Sequence, residues 1–583
     1  MKKFLFFLDA GKHILSILLY TSMLSAAEPW KFGVMGDTQW LANFFGENPN
    51  SVAVGIIRQI NAEFIKHDVK LVFQVGDLVD DFSEKAFDTR AEIAQELIDT
   101  QIAFFPLRGN HESGSDAANY FSTVFPQTCG KTNTFGARNF NSPFESLECL
   151  SYSFDYKNAK FILIDQFVRK DNSGRNIDSN TIDQLNWIDS LLSNRSADTH
   201  VFILSHKNLI GQNHGDVLFG SNPSENISAQ NRFFQLLDKS GVRYCLSGHD
   251  HLHHRSIVLS PDLKSSVIQL ICTGNSYKYY SPEVPSNDEK YCEPSRELPL
   301  AQELYSAGYY IFTVDGPHIT VDYHSSPVCS KSRNNNSSCI LLTAPDLEFE
   351  KMETFGYSLN GKDFTIMPDS AFTVVEDRCD IDGSKCTCAR IIDGKNRNYS
   401  VLYDGRKTVQ KISTGWQTSK GNTTFASNIL TLWGMENEIG SKESDWYTLS
   451  LSYNGELNGP LILVAKDTGG KWVNAVELNI GGSKKKFIIG EYKTGFESGS
   501  YGIDPKSQTV WARINYGGSF AILPSSDGDQ NGDGVIDDSD LEIITSLKGK
   551  PVSENRSADL DNDGKITDND VSKLAIVKHR TGL

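Results

Sequence analysis

Leu71-Val72-Phe73-Gln74-Val75-Gly76-Asp77 reads as an apolar strand closed by a glycine and a carboxylate, and the recurrence of that pattern decides the fold. Phe32–Met35 runs into Asp37-Thr38-Gln39, and Ala103–Leu107 into Gly109-Asn110-His111-Glu112. Val201–Leu204 leads to His206, and Val242–Leu246 to Gly248-His249-Asp250-His251, while Phe161–Ile164 is a further strand of the same texture. Between them Ile56, Ile57, Ile60 and Phe64 mark one apolar helix face, and Ile182, Leu185, Ile188 and Leu192 another. Strand, polar loop and amphipathic helix alternate from Lys31 to about Ser325, the pattern of an α/β domain. Such folds place their sites at the carboxyl edge of the sheet, which is where each of these polar motifs falls.

Taken singly, Gly-Asp, Gly-His or Asn-His is common and usually no more than a turn. As an ordered set they supply enough oxygen and imidazole donors to hold two divalent ions about 3.5–4 Å apart over a phosphate ester. That set resembles the calcineurin-like metallophosphoesterase superfamily, whose pattern is Asp-x-His, Gly-Asp, Gly-Asn-His-Glu/Asp, His and Gly-His-x-His. The resemblance implies that Asp37, Asp77 and His251 ligate a first metal, with Gln39 where the family usually has His. It implies that Asp77 bridges the ions and that Asn110, His206 and His249 complete the second site. His111, oriented by Glu112, is then the residue that stabilises or protonates the leaving oxygen.

The chemistry expected of two ions sharing Asp77 is a solvent nucleophile of lowered pKa, hydroxide at neutral pH, aimed at phosphorus. An amide oxygen from Gln39 is a harder, neutral donor than imidazole; it weakens the case for Zn at that position and leaves Mn or Fe, with Zn or Ni open elsewhere. The related purple acid phosphatases place Tyr three residues after the bridging Asp. This chain has Asp80 there, so the purple iron centre is not expected. His253 and His254 extend the histidine run and are read as surrounding residues rather than ligands.

The chain has 583 residues and a formal net charge of −17, which points to several domains and against a nucleic-acid-binding surface. Met1-Lys2-Lys3, the apolar stretch Ile14–Leu24 and the small residues Ser25-Ala26-Ala27 read as a signal peptide over 1–27, followed by a mature chain without a transmembrane segment. Secretion to the extracellular space, cell surface or periplasm is therefore expected. Ten cysteines fit an oxidising compartment, with Cys129 and Cys149, Cys272 and Cys292, and Cys329 and Cys339 as close sequence pairs. Cys379, Cys386 and Cys388 suggest a disulfide hairpin, and Cys245 a buried thiol.

Beyond the Ser/Asn run from Arg333 to Ser338 the helical period disappears. Tyr447, Leu449, Leu451 and Tyr453 alternate with Thr448, Ser450 and Ser452, the period of an antiparallel strand. Val510–Tyr516, Gly517-Gly518 and Ser519–Leu523 read as a hairpin, and a β-sandwich over 345–523 is the simplest architecture. No chemical motif is visible in it.

The last segment duplicates a loop. Asp529, Asn531, Asp533, Asp537 and Asp540, with Val535 offering its carbonyl, have the donor spacing of an EF-hand calcium loop. Asp559, Asp561, Asp563, Thr567 and Asp570, with the Lys565 carbonyl, repeat it. An exiting helix follows each loop, but no entering helix precedes the first. This loop-helix pair resembles a type I dockerin, which implies two Ca²⁺ ions and a cohesin-like partner. The expected organisation is a signal peptide (1–27), an α/β catalytic domain of sheets flanked by helices (28–325), a mostly β domain (345–523) and a small calcium-binding loop-helix module (525–583). The expected function is an exported, metal-dependent phosphoesterase acting on a phosphate ester and docked through its tail. The alternative is a non-catalytic extracellular adhesive or scaffold-associated protein whose metal site is structural; His111 beside Asn110 favours the enzyme.

Overall fold

The computed structural model describes residues 28–39, 52–170, 173–177, 180–280, 296–316, 318–329, 338–359, 374–376, 387–393, 406–407, 413–417, 425–436, 442–453, 461–524, 529–531, 537–552, 558–560 and 563–581. The expected signal peptide and the residues Asp533, Val535, Asp561, Cys292, Cys379 and Cys386 lie outside them. Among the described residues no helix is long and apolar enough to cross a membrane.

Two sheets face each other in the first half of the chain. One has six strands, in the order Glu350–Ser358, His318–Pro327, Ser306–Asp315, Trp30–Met35, Leu71–Gln74 and Ala103–Pro106. The other has nine, with Ser266–Ile271, Tyr244–Ser247, His200–Ser205 and Ala159–Ile164 side by side at its centre. The period of two in these strands sends alternate residues to different layers. Phe32, Phe73, Phe105, Phe161, Phe202 and Phe312 point between the sheets, where Phe32 lies 5.2 Å from Phe161 and 5.0 Å from Phe202. Val72 and Phe104 point outward against Ile56, Ile57, Ile60 and Phe64 of the helix Val52–Lys66. Ile162, Ile164, Val201 and Ile203 point to the opposite outside, against Leu185, Ile188 and Leu192 of the helix Thr181–Ser193. The result is a helix–sheet–sheet–helix sandwich. Each of its fully buried aromatic side chains contributes roughly 1.5–3 kcal/mol by removal from water. Ile182 departs from the expected face: it is 39% exposed, at the rim of a buried stripe completed by Thr181 and Gln184.

Trp30–Met35, Leu71–Gln74 and Ala103–Pro106 pair in parallel. So do Ala159–Ile164, His200–Ser205, Tyr244–Ser247 and Ser266–Ile271. Their carboxyl ends are therefore brought to one edge, and a parallel bridge between Gly36 and Gly274 joins the two sheets there.

Three expectations are corrected. Glu350–Ser358, assigned by its sequence texture to the second domain at 345–523, pairs along its length with His318–Pro327 and closes the first sheet. Cys272, expected to pair with Cys292, carries a free thiol in the core between the sheets, whereas Cys129–Cys149 and Cys329–Cys339 form disulfides and Cys245 is a buried thiol. The hairpin about Gly517-Gly518 is absent: Thr509–Tyr516 pairs with Glu443–Ser452 and Ser500–Asp504, but Gly518–Pro524 pairs with Ile429–Trp433 and Leu461–Lys466 in the other sheet. The two glycines carry the chain across the sandwich because both strands bury apolar side chains, Val510, Ala512 and Ile514 against Phe520 and Ile522, on the shared core.

In the tail the helices Asp538–Leu547 and Asp568–Thr581 each follow a loop, and Ile544, Leu547, Ala558, Ile566 and Leu574 form their common core. The two halves repeat in detail. Asp540 accepts from the backbone N–H of Gln530 at 2.6 Å and of Asp537 at 2.8 Å, as Asp570 does from Leu560 and Thr567, each at 2.7 Å.

Candidate metal centre

The parallel edge gathers every sequence-selected donor of the first domain. Asp77, His206 and His249 present one ligand atom each within 4.8 Å of one another, and so do Asp37, Asp77 and His251; all are buried, and Asp77 is common to both groups. Asn110 Oδ1 lies 2.8 Å from His206 Nε2, and Gln39 Nε2 donates to Asp77 Oδ2 at 2.9 Å. The turns that carry these side chains are tight. A Cβ on Gly109 would stand 1.9 Å from Asp77 Oδ1, and one on Gly248 would stand 2.5 Å from Asp37 Oδ2, so glycine is required beside each ligand turn. Asp37, Gln39, Asp77, His249 and His251 themselves adopt left-handed backbone, with φ of 41°, 27°, 48°, 74° and 56°.

Hydrogen bonds on one nitrogen fix the role of the other in each imidazole. His206 Nδ1 is held by the Val75 carbonyl at 2.9 Å, so Nε2 faces Asp77 Oδ1, 3.3 Å away. His251 Nδ1 is held by the Lys278 carbonyl at 2.9 Å, so Nε2 faces Asp37 Oδ1 at 3.9 Å. His249 is held through Nε2, 3.1 Å from Asp216 Oδ1, which turns Nδ1 inward.

The residues fit two cations. Asp37 Oδ2 is buried with no hydrogen-bond partner, an orphan in a cluster rich in acceptors. Burial foremost pushes the Asp37 carboxyl up to about 8, with Asp77 and Asp250 adding to it against His206. Burial acts on Asp77 the same way, but His206, His111 and His249 outweigh it and hold Asp77 well below the usual carboxylate range. Burial disfavours the charged form of His206, yet Asp77 and Asp37 hold it up at about 9. Two carboxylates and three imidazoles are thus crowded into one buried pocket, with Asp77 paired to His206 and burial favouring the protonated form of Asp37, a donor set in which bound cations would take the place of protons.

His111 stands beside this group, with Nε2 3.9 Å from Asp77 Oδ2. Burial opposes its charged form, but Asp77, the Asp80 carbonyl, Glu112 and the Asp80 carboxylate raise its pKa above the ordinary value. The expected partner is corrected: Glu112 does not hydrogen-bond the His111 ring. Its carboxylate accepts from the backbone N–H of Val79 at 2.8 Å and of Gly109 at 2.7 Å, clamping the Asp77 turn to the Asn110 turn. The reason is local: Asn110–Glu112 is one turn of 3₁₀ helix, which points Glu112 inward while His111 faces the cleft. Asp80 holds His111 instead, through its carbonyl 2.5 Å from Nδ1.

Sequence reasoning missed the supports. Arg108 forms a buried bidentate pair with Asp165 at 2.7 and 2.8 Å and donates to the Glu112 and Gly114 carbonyls. Buried Arg90 donates to Gln74 Oε1, Gln74 donates to Thr38 Oγ1 at 2.7 Å, and Thr38 to the Leu78 carbonyl, tying the Asp37 turn to the Asp77 turn. Asp216, held well below the usual carboxylate range by His249 and Lys207 against burial, stands in a loop with no periodic pattern. His253, read as surrounding, is a core residue between Tyr310 and Glu353.

Of the calcium donors, Asp529, Asn531, Asp540, Asp559 and Asp570 are buried. Asp559 accepts from the N–H of Asp563 and Gly564 at 3.1 and 2.9 Å, and Asp563 from that of Lys565 at 2.9 Å. Asp537 caps its helix through Ser539 N–H, and Thr567 accepts from Asn569 N–H.

Residues 31–253 match the family model described as calcineurin-like phosphoesterase. No curated protein matches the chain. Among solved structures it is similar to the purple acid phosphatase PPD1 of yellow lupin (Lupinus luteus) seeds, at 15% identity and a TM-score of 0.33, over 54% of each chain. It is similar to GAP50, the anchor in the inner membrane complex of Plasmodium, at 14% and 0.33, over 55% of this chain and 90% of that one. A dimetal phosphatase from Danio rerio gives 16% and 0.32, over 50% and 96%. The chain spans about half the length of the lupin phosphatase. Two donor groups sharing one aspartate therefore lie on a parallel edge within the segment that matches the calcineurin-like phosphoesterase model.

Proposed function

We propose that the chain is an exported phosphoesterase that hydrolyses phosphate esters at the Asp77 centre and is docked through a calcium-loaded tail. The observation that carries the catalytic reading is the sharing of Asp77 by two buried donor groups. Asp37, Gln39, Asp77 and His251 would hold one ion, and Asp77, Asn110, His206 and His249 the other. Bound there, the ions supply a solvent nucleophile at neutral pH and neutralise charge on the phosphoryl oxygens.

The chain's own residues do the rest. Val75, Lys278 and Asp216 hold the three imidazoles by their outer nitrogens, so that the inner nitrogens are preorganised. Glu112 fixes the spacing of the Asp77 and Asn110 turns. Asp80 fixes His111 through Nδ1, leaving Nε2–H at the edge of the cleft to deliver a proton to the departing ester oxygen.

Export is supported by the two disulfides, which suit an oxidising compartment, together with the signal-peptide pattern of 1–27. Calcium binding and a cohesin-like partner are supported by the repeated loop and by the matching hydrogen bonds of Asp540 and Asp570. The deciding experiment is a hydrolysis screen of aryl monoesters, aryl diesters and nucleotides after chelation and reloading with Mn, Fe, Zn or Ni. Turnover restored by at least one metal is expected. Inactivity with all of them, in a chain that binds the ions, makes the centre structural.

A further inference from the structure

Residues 207–216 leave the strand His200–Ser205 and fold back over the metal centre. Asp250, fully buried, straps this loop down: it accepts from Asn208 Nδ2 at 2.7 Å and from the backbone N–H of Gln212 at 2.5 Å and of His214 at 3.1 Å. The strap delivers Asp216 to the rim, where its two carboxylate oxygens do different things. Oδ1 lies 3.1 Å from His249 Nε2, and Oδ2 takes Lys207 Nζ at 2.9 Å. Among the described residues the His249 ring is otherwise held by packing, stacked on His214 at 4.1 Å and edge-on to His206 at 4.9 Å. Stacking fixes a ring plane; the hydrogen bond fixes which nitrogen points in.

We infer that Asp216 is a positioning residue that orients His249 toward Asp77 and His206 and makes that imidazole the stronger donor of its site, with Lys207 aiming the carboxylate. A carboxylate on the outer N–H of a ligating imidazole fixes its tautomer and raises its basicity, and such partners are worth about 10–100-fold in metal affinity. His206 and His251 lean instead on neutral backbone carbonyls, those of Val75 and Lys278. The effect is therefore confined to one of the two donor groups, because His249 belongs to the group with His206 and not to that with Asp37 and His251. The inference rests on the reading of His249 as a metal ligand.

The test is calorimetric titration of the full chain with Mn²⁺, after chelation and with the tail saturated with calcium. The wild-type chain is expected to take up two Mn²⁺ ions. Asp216→Ala is expected to weaken one of them by about 10–100-fold and leave the other unchanged. Asp216→Asn, which keeps the shape and an acceptor oxygen, is expected to lie between; it also supplies the measurement if the alanine variant fails to fold. Lys207→Met is expected to weaken the same ion by less. Unchanged affinities in both Asp216 variants overturn the inference and leave the two-metal reading standing. A wild-type chain that takes up no Mn²⁺, Zn²⁺ or Fe²⁺ overturns both. Equal weakening of both ions in a folded variant shows that Asp216 supports the whole centre, and overturns the assignment to His249.

Discussion

His111 Nδ1 lies 2.5 Å from the Asp80 carbonyl oxygen, and the same ring approaches Asp77 Oδ2 from its other nitrogen at 3.9 Å. The imidazole is thus pinned from outside the candidate metal centre while its other nitrogen faces Asp77.

His111→Ala is expected to keep full metal content and lose roughly a hundredfold or more in kcat, as removal of a proton donor does. Asp77→Ala is expected to lose bound metal and turnover together, because both donor groups share it. Elemental analysis beside steady-state rates distinguishes the two. Loss of both ions in His111→Ala would falsify the assignment.

Glu112→Gln turns an N–H toward one of two buried backbone donors. It is expected to destabilise the chain by about 1–3 kcal/mol and to loosen metal binding, since the Val79 and Gly109 clamps set the spacing of the ligand turns. Denaturant midpoints read the first effect and metal titration the second. A variant as stable as wild type would return Glu112 to a role at His111.

His200 is expected to tie stability to pH. Burial lowers its pKa to about 4, against help from the Gly316 carbonyl, from an ordinary value of 6.5. The folded chain therefore binds this proton less well than the unfolded chain, so its contribution is complete above pH 6.5 and is lost as the pH falls toward 4. The loss across that window is on the order of 3 kcal/mol. Chemical denaturation between pH 7.5 and 4.5, with chelator present, should show a shallower decline in His200→Gln than in wild type. Parallel declines would show that His200 does not carry it.

The isolated segment 525–583 is expected to gain helical circular dichroism on addition of calcium, because its facing carboxylates repel one another until a cation neutralises them. Asp529→Ala with Asp559→Ala should abolish that gain and leave phosphoester hydrolysis unchanged. A fully helical apo segment would remove the link between metal and folding.

What could be read from the sequence was what repeats along the chain. The period of two in Phe161–Ile164 and Val201–Leu204 places the layers, and the polar residue after each strand marks the edge, so the spatial gathering of Asp37, Asp77, His206, His249 and His251, with Asn110 beside His206, is legible in the sequence. What could not be read depends on contacts between distant loops. Asp216 reaches His249 across 33 positions from an aperiodic segment, and nothing local marks it. The partners of Glu112 are not legible either, because adjacency to His111 in sequence says little inside a 3₁₀ turn. Strand texture does not name a partner, so neither the pairing of Glu350–Ser358 with the first sheet nor the crossing at Gly517-Gly518 from one sheet to the other is legible in sequence.

Five candidate donor positions, Asp37, Gln39, Asp77, His249 and His251, occupy backbone conformations that glycine adopts freely. Each such residue costs on the order of 1–3 kcal/mol. A campaign that hardens this chain by selecting for heat tolerance alone would therefore drift toward glycine at those five positions and erase the centre while improving the scaffold. Engineering for durability should start on exposed helix positions such as those of Glu84–Ile98, where a gain in persistence does not compete with chemistry.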